Sequence, residues 1–225
     1  MHMIIAVDGF SACGKSTLAK DLATELNIVY IDSGAMYRAI TLYYLEQKKI
    51  NPDLAIEDIP IHEIQIDFIP GSKPQLLLNN KDVTEEIRQP SVSDLVSEVS
   101  AVSNIRKAMV DLQRKIANGK SIIMDGRDIG SVVFPNADVK LFVTAEIDTR
   151  AQRRYSELKQ RGIQQSLEQI KSNLKKRDQI DSTRKDSPLI QTEDAILLDN
   201  SQLNREQQKQ LALHIIQTKL TENCN

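Results

Sequence analysis

The chain has 225 residues, with 29 Lys and Arg against 31 Asp and Glu, no Trp and four Phe. That length holds one full core with insertions rather than two typical enzyme domains, and the balanced charge gives no electrostatic reason to expect nucleic acid or an anionic membrane as partner. Two cysteines, Cys13 and Cys224, are too few and too poorly spaced for a disulfide framework or a zinc site, and no apolar run approaches the ~20 residues a spanning helix needs, so a cytoplasmic protein acting on small molecules is expected, with a monomer as the default.

The apolar run MIIAV (3–7) leads into DGFSACGKST (8–17) and then LAKDLATEL (18–26), whose leucines and alanines recur at helical spacing. This predicts a strand, a glycine-framed turn and a helix. Four further runs resemble the first: IVYID (28–32), SIIMDG (121–126), VKLFVTA (139–145) and AILLD (195–199). Continuous rather than alternating apolar runs suit strands buried on both faces, which predicts five parallel strands covered by helices. The segments between them are helical in pattern: AMYRAITLYYLEQ (35–47), one long helix over 90–117, IDTRAQRRYSELKQRG (147–162) and NREQQKQLALHIIQTKL (204–220). The fold class is therefore α/β. Two stretches stand outside this alternation. EIQIDFIPGSKPQLLLNNKDVT predicts a small antiparallel β insertion at roughly 60–84. Arg and Lys crowd 150–185, which reads either as a solvated helix pair or as a charged helical hairpin over a site.

Gly9, Gly14, Lys15 and Ser16 fit G-x-x-x-x-G-K-[ST] between a strand and a helix, the context of a P-loop NTPase core. The backbone N–H groups of Gly9, Phe10, Ser11, Ala12, Cys13, Gly14, Lys15, Ser16 and Thr17, with the helix N-terminus behind them, would cradle the phosphates of ATP. Lys15 would bridge the β- and γ-phosphates, and the Ser16 hydroxyl would ligate Mg²⁺, which keeps mostly phosphate and water ligands. Ala12 would have to avoid positive φ, which costs a residue with a Cβ about 1 kcal/mol. Cys13 is either a reactive thiol beside a helix N-terminus or a small packing residue.

The phosphate acceptor must be read elsewhere in the chain. DSGAMYRA puts Ser33 at a strand's carboxyl end and Arg38 a helical turn beyond it. MDGRDIGSVVFP puts Arg127 and Asp128 at the carboxyl edge of the third predicted strand, where open α/β sheets bind ligands; an Arg–Asp pair that caps the strand is the other reading. Asp125 could orient metal-bound water. Arg177, Asp181 and Arg184 are spaced to share one helix face, for a ligand or for intrahelical ion pairs.

Through DSGAMYRA, DVTEEIR, DGRDIGSVVFP, RAQRRY and the run from Arg177 to Leu189, the chain resembles the bacterial cytidylate kinases, the CMP/dCMP branch of the nucleoside monophosphate kinases. The resemblance implies ATP-dependent phosphorylation of CMP and dCMP to CDP and dCDP. It implies one kinase domain over 1–225, with an NMP-binding insertion at approximately 38–104 and a lid at approximately 151–186. It implies that Arg38, Arg127 and Arg184 hold the acceptor's phosphate, that Arg177 and Asp181 reach its ribose, and that Asp128, with Ser97 and Arg106, reads the base. Ser97 reads equally as an incidental serine. Arg153 and Arg154 become lid arginines over the donor, so that Lys15, Arg127, Arg153, Arg154 and Arg184 form the catalytic set. An anionic phosphate oxygen needs no general base, which leaves positioning and charge stabilisation as the means of catalysis. A kinase for another small acceptor, a P-loop switch or nucleic-acid-dependent ATPase, and a nucleotide sensor are the competing classes; no N/TKxD-like base motif supports the switch.

Overall fold

The computed structural model describes residues 2–69 and 74–222. Cys224 and the turn of the expected insertion, residues 70–73, lie outside them. In chain order the elements are β1 (Ile4–Gly9), α1 (Lys15–Glu25), β2 (Val29–Asp32), α2 (Ser33–Ile50), β3 (Ile66–Ile69), β4 (Gln75–Leu78), β5 (Lys81–Asp82), α3 (Pro90–Ala101), α4 (Ser103–Ala117), β6 (Ile122–Gly126), β7 (Val139–Thr144), α5 (Ile147–Gln160), α6 (Leu167–Thr183), β8 (Ile196–Asp199) and α7 (Arg205–Glu222). Between β6 and β7 a π-turn spans Ile129–Val133. The chain divides into two compact units.

The first unit comprises the described residues up to Ile31, Gly119–Thr183 and the described residues from Ser187 onward. Its sheet has the order β2-β6-β1-β7-β8, with β1 parallel to β6 and β7, and β7 parallel to β8. The five apolar runs become the five strands of this parallel sheet. Residues Ile5 to Gly9 of the central strand are all buried, which is why that run is continuous rather than alternating. From β1 the chain crosses to β2 and β6, then returns past β1 to β7 and β8, so the strand order reverses at the carboxyl end of β1. Leu18 and Leu22 of α1 and Ala212 and Ile216 of α7 share a core with Ile5, Val7 and Val143. Fully burying such a leucine or isoleucine contributes about 1.5–3 kcal/mol. α5 and α6 form a hairpin around Ala151, Leu158, Ile170 and Leu174.

The second unit comprises Asp32–Asn118 and Arg184–Asp186. The core formed by α2, α3, α4 and a three-stranded antiparallel sheet, β3-β4-β5, includes Met36, Ile40, Leu76, Leu78, Val99 and Ile105. The expected insertion gains a third strand because Asn79 and Asn80 both take positive φ, 49° and 66°. A two-residue turn of that hand folds Lys81 and Asp82 back onto β4.

Two expectations are corrected here. The long helix over 90–117 is two helices, because Val102 takes an extended ψ of 123°; Ser103 and Asn104, whose short polar side chains compete for local backbone groups, follow the break directly. Arg184 does not share a helix face with Arg177 and Asp181, since α6 ends at Thr183 and Arg184 is grouped with the second unit.

Candidate active site

β1 ends in the glycine-rich turn, and its conformation depends on close packing. Gly9 has φ 149°, and a Cβ there would fall 2.0 Å from the Val143 carbonyl oxygen, so only glycine fits against β7. Ala12 has φ 58°, contrary to the expectation that it would avoid positive φ. Its methyl packs against the α5–α6 core, which offsets the ~1 kcal/mol conformational cost. Gly14, at φ 88°, caps α1 with no side-chain acceptor, and the first turn of α1 carries no acidic residue. The helix therefore presents its N–H groups and positive dipole end without a built-in anion.

Cations converge behind this turn. Lys15 is buried and donates to the Phe10 carbonyl at 3.1 Å. Burial first, then the Arg127 charge, hold its pKa below the usual lysine range. Arg127 donates to Asp181 Oδ2 at 2.8 Å, to Ser11 Oγ at 2.7 Å and to the Gly126 carbonyl at 3.2 Å. It thus pairs with Asp181 rather than forming the strand-capping pair with Asp128. Arg177 has a buried Nε with no partner among the described residues. Burial, then repulsion from Arg127, push its pKa down to about 10. Arg127 thus repels both Lys15 and Arg177, a repulsion that Asp181, Asp178 and Asp125 oppose and that an added anion would relieve further.

The carboxyl edge of β6 adds oxygen ligands. Asp125 accepts from Ser16 Oγ at 2.6 Å and from the Tyr30 hydroxyl at 2.7 Å. A hydroxyl and a carboxylate at the end of a glycine-rich turn fit Mg²⁺, a hard ion that takes one or two protein oxygens beside phosphates and water. Asp128 is buried at the next turn. That turn is held by Asp8, which accepts from the Ile129 and Gly130 amides at 2.8 and 2.7 Å. Burial raises the Asp8 carboxyl to about 6.

Along α5, Arg153 donates to Asn200 and to the Cys13 carbonyl, while Arg154 pairs with Glu157 at 2.8 Å. Cys13 is fully buried in the core of the first unit, which favours the packing reading over the reactive one.

In the second unit, Arg38 donates to Ser93 Oγ at 2.9 Å and to the Ile87 carbonyl at 3.2 Å. Asp32 caps α2 through the Ala35 amide at 2.9 Å and pairs with Arg88 at 2.8 Å; burial opposes its charge, but Arg88 holds its carboxyl below the usual range. Ser33 and Ser97 are buried. Arg106, also buried, donates to the Ser100 carbonyl at 2.9 Å and lies over the Tyr37 ring. Arg184 donates to Ser100 Oγ at 3.4 Å. The candidate residues thus fall into two sets: the glycine-rich turn with Arg127, Asp128, Arg153, Arg154, Arg177 and Asp181, and the group Ser33, Arg38, Ser97, Arg106 and Arg184. Asp8, Tyr30, Arg88 and Asn200 were not singled out by the sequence reading.

A sequence profile of the family described as cytidylate kinase matches residues 5–218. A cytidylate kinase of Bacteroides thetaiotaomicron is 50% identical over 212 residues, 92% of this chain and 93% of that one. The cytidylate kinase of Flavobacterium psychrophilum is 46% identical over 218 residues, 94% of this chain and 96% of that one, and that of Carboxydothermus hydrogenoformans is 45% identical over 223 residues, 96% and 98%. Among solved structures, an uncharacterized protein from Eubacterium ventriosum superposes with a TM-score of 0.52 at 14% identity, covering 97% of this chain and 99% of that one, a likeness of fold.

Proposed function

Since the chain belongs to the cytidylate kinase family, we propose that it transfers the γ-phosphoryl group of ATP to CMP or dCMP, giving ADP and CDP or dCDP, as a cytoplasmic monomer. The observation that carries the donor half of this reading is the convergence of Lys15, Arg127 and Arg177 behind a phosphate turn whose helix has no acidic residue of its own.

In this mechanism the backbone of residues 9–17 holds the donor's phosphates, and Lys15 offsets charge on the β- and γ-groups. Ser16, oriented by Asp125, would hold Mg²⁺, which when bound neutralises charge on the transferring group. Arg127 orients the acceptor phosphate, since its guanidinium is already fixed by Asp181 and Ser11 and a planar fork suits phosphate better than an ammonium. Arg38 and Arg184 are assigned to the acceptor's phosphate as well. Arg177 and Asp181 reach the ribose. Asp128 accepts from the cytosine exocyclic amine, as carboxylates do when they read cytosine in nucleic acids, and Ser97 and Arg106 complete the base site. Arg153 and Arg154 stabilise charge on the donor. The nucleophile is an anionic oxygen, so no side chain is assigned as general base.

A coupled assay with ATP and, in turn, CMP, dCMP, UMP and AMP tests the proposal. CMP or dCMP is expected to stimulate ATP turnover strongly and to yield the diphosphate. Hydrolysis that is equally fast without an acceptor, or a preference for AMP, would overturn it.

A further inference from the structure

Arg153 differs from its neighbours in what holds it. Arg127, Arg150 and Arg154 are each paired with a carboxylate, on Asp181, Asp178 and Glu157 respectively. Arg153 donates only to uncharged oxygens among the described residues: Asn200 Oδ1 at 2.8 Å, the Asn200 carbonyl at 2.9 Å and, at the long end, the Cys13 carbonyl at 3.4 Å.

Asn200 is built to do this. It is wholly buried just past β8, and its backbone N–H is fixed to the Thr144 carbonyl of β7 at 3.0 Å. Its side-chain amide donates both to the Cys13 carbonyl at 2.8 Å and to Gln208 Oε1 at 2.7 Å. The cluster sits against the phosphate turn: a Cβ on Gly14 would meet Asn200 Nδ2 at 3.5 Å and an Arg153 guanidinium nitrogen at 3.7 Å. Arg153 itself is half-buried; the open groove it also lines, with Asp148, Gln152, Ser156 and Glu157, contains no residue of the turn.

We propose that Asn200 is a positioning residue for phosphoryl transfer: it holds the Arg153 guanidinium beside Gly14 through neutral acceptors, so the cation is pre-placed at the donor's phosphates with its charge not neutralised. A carboxylate at this position would keep the shape and the acceptor, but it would form an ion pair with Arg153 and lose the two donated hydrogen bonds. The inference rests on the reading of the phosphate turn as the ATP site.

The test sets charge against shape. Asn200→Asp is expected to lower kcat about 100-fold, the scale of a misplaced catalytic group, while the smaller but neutral Asn200→Ser stays within about 10-fold of wild type. In an Arg153→Ala background, Asn200→Asp should cost less than about 3-fold, because the group it acts through is gone. CMP affinity measured without ATP should stay within about twofold throughout, which a general structural defect would not allow. If Asn200→Asp does not fold, Asn200→Ala in both backgrounds gives the same readout, about a 10-fold loss with Arg153 present and none without it. An active wild type in which Asn200→Asp equals or exceeds Asn200→Ser, or costs the same factor with and without Arg153, overturns this inference alone. A wild type that does not turn over ATP with CMP overturns the underlying reading as well.

Discussion

Asp8, buried at the end of β1, ties the geometry of the Asp128 turn to the stability of the protein. Burial, the largest cause, lifts its carboxyl from 3.8 to about 6; the Gly130 and Ile129 amides and Lys15 oppose that rise, and Asp128 adds to it. A gap of about two pH units between folded and unfolded carboxyl corresponds to ~3 kcal/mol. The folded pKa is raised, so between about pH 4 and 6 the folded state binds more protons than the unfolded chain. Stability therefore falls as pH rises through that window and levels off above it. Asp8→Asn mimics the protonated acid and does not titrate. The unfolding free energy of wild type minus that of Asp8→Asn should therefore drop by about 2 kcal/mol from pH 4.5 to 7.5. Urea unfolding followed by circular dichroism measures this directly, and dichroism suits a chain that lacks tryptophan. Parallel curves would refute the reasoning, and a difference that grew with pH would mean that the two amide hydrogen bonds outweigh burial.

Removing the Ser16 hydroxyl, which donates to Asp125 at 2.6 Å, should raise the Mg²⁺ concentration for half-maximal activity about 10-fold or more while changing stability by only about 1 kcal/mol; an unchanged Mg²⁺ titration would take Ser16 out of the metal site. Arg127→Ala removes the ion pair of Asp181, whose side chain is 4% exposed, but leaves Arg177 beside it and relieves the repulsion on Lys15 and Arg177, so it should cost about 1–3 kcal/mol of stability as well as activity, and a variant more stable than wild type would contradict a net gain from that pair. In a Cys224→Ser protein, Cys13, which is fully buried, should react with iodoacetamide only when denaturant is added. Rapid labelling of the native protein, slowed by ATP, would restore the reactive reading.

The sheet was legible in the sequence because strands covered on both faces, as β1, β6 and β7 are, must be apolar along most of their length; the edge strand β8 kept an apolar run although Leu197 is exposed. The glycine-rich turn was legible because its spacing is local. What escaped depends on contacts remote in sequence. Asp125 receives Tyr30 across 95 residues, Asp8 holds Ile129 across 121, and Asn200 reaches Cys13 across 187; no periodicity records such pairs. The break at Val102 was hidden because the valine stripe from Val92 through Val99 continues to it without a Gly or Pro. Arg184 was misassigned because a three-to-four spacing persists past the end of α6. Ala12 shows a local preference of about 1 kcal/mol overridden by packing, here against the α5–α6 core.

The approach of Gly9 to Val143 bears on how substitutions in the turn should be interpreted. Gly9 is the first glycine of the G-x-x-x-x-G-K-S turn, so a Gly9→Ala protein that fails to bind nucleotide would ordinarily be credited to a damaged ligand site. With Val143 O 2.0 Å from where the new methyl must go, that methyl acts as a wedge between the central strand and its neighbour. The damage begins in the sheet, and lost binding is its symptom. Glycine is therefore required at this position by strand spacing even before any phosphate arrives, and a screen that scored only catalysis would mistake an architectural constraint for a chemical one.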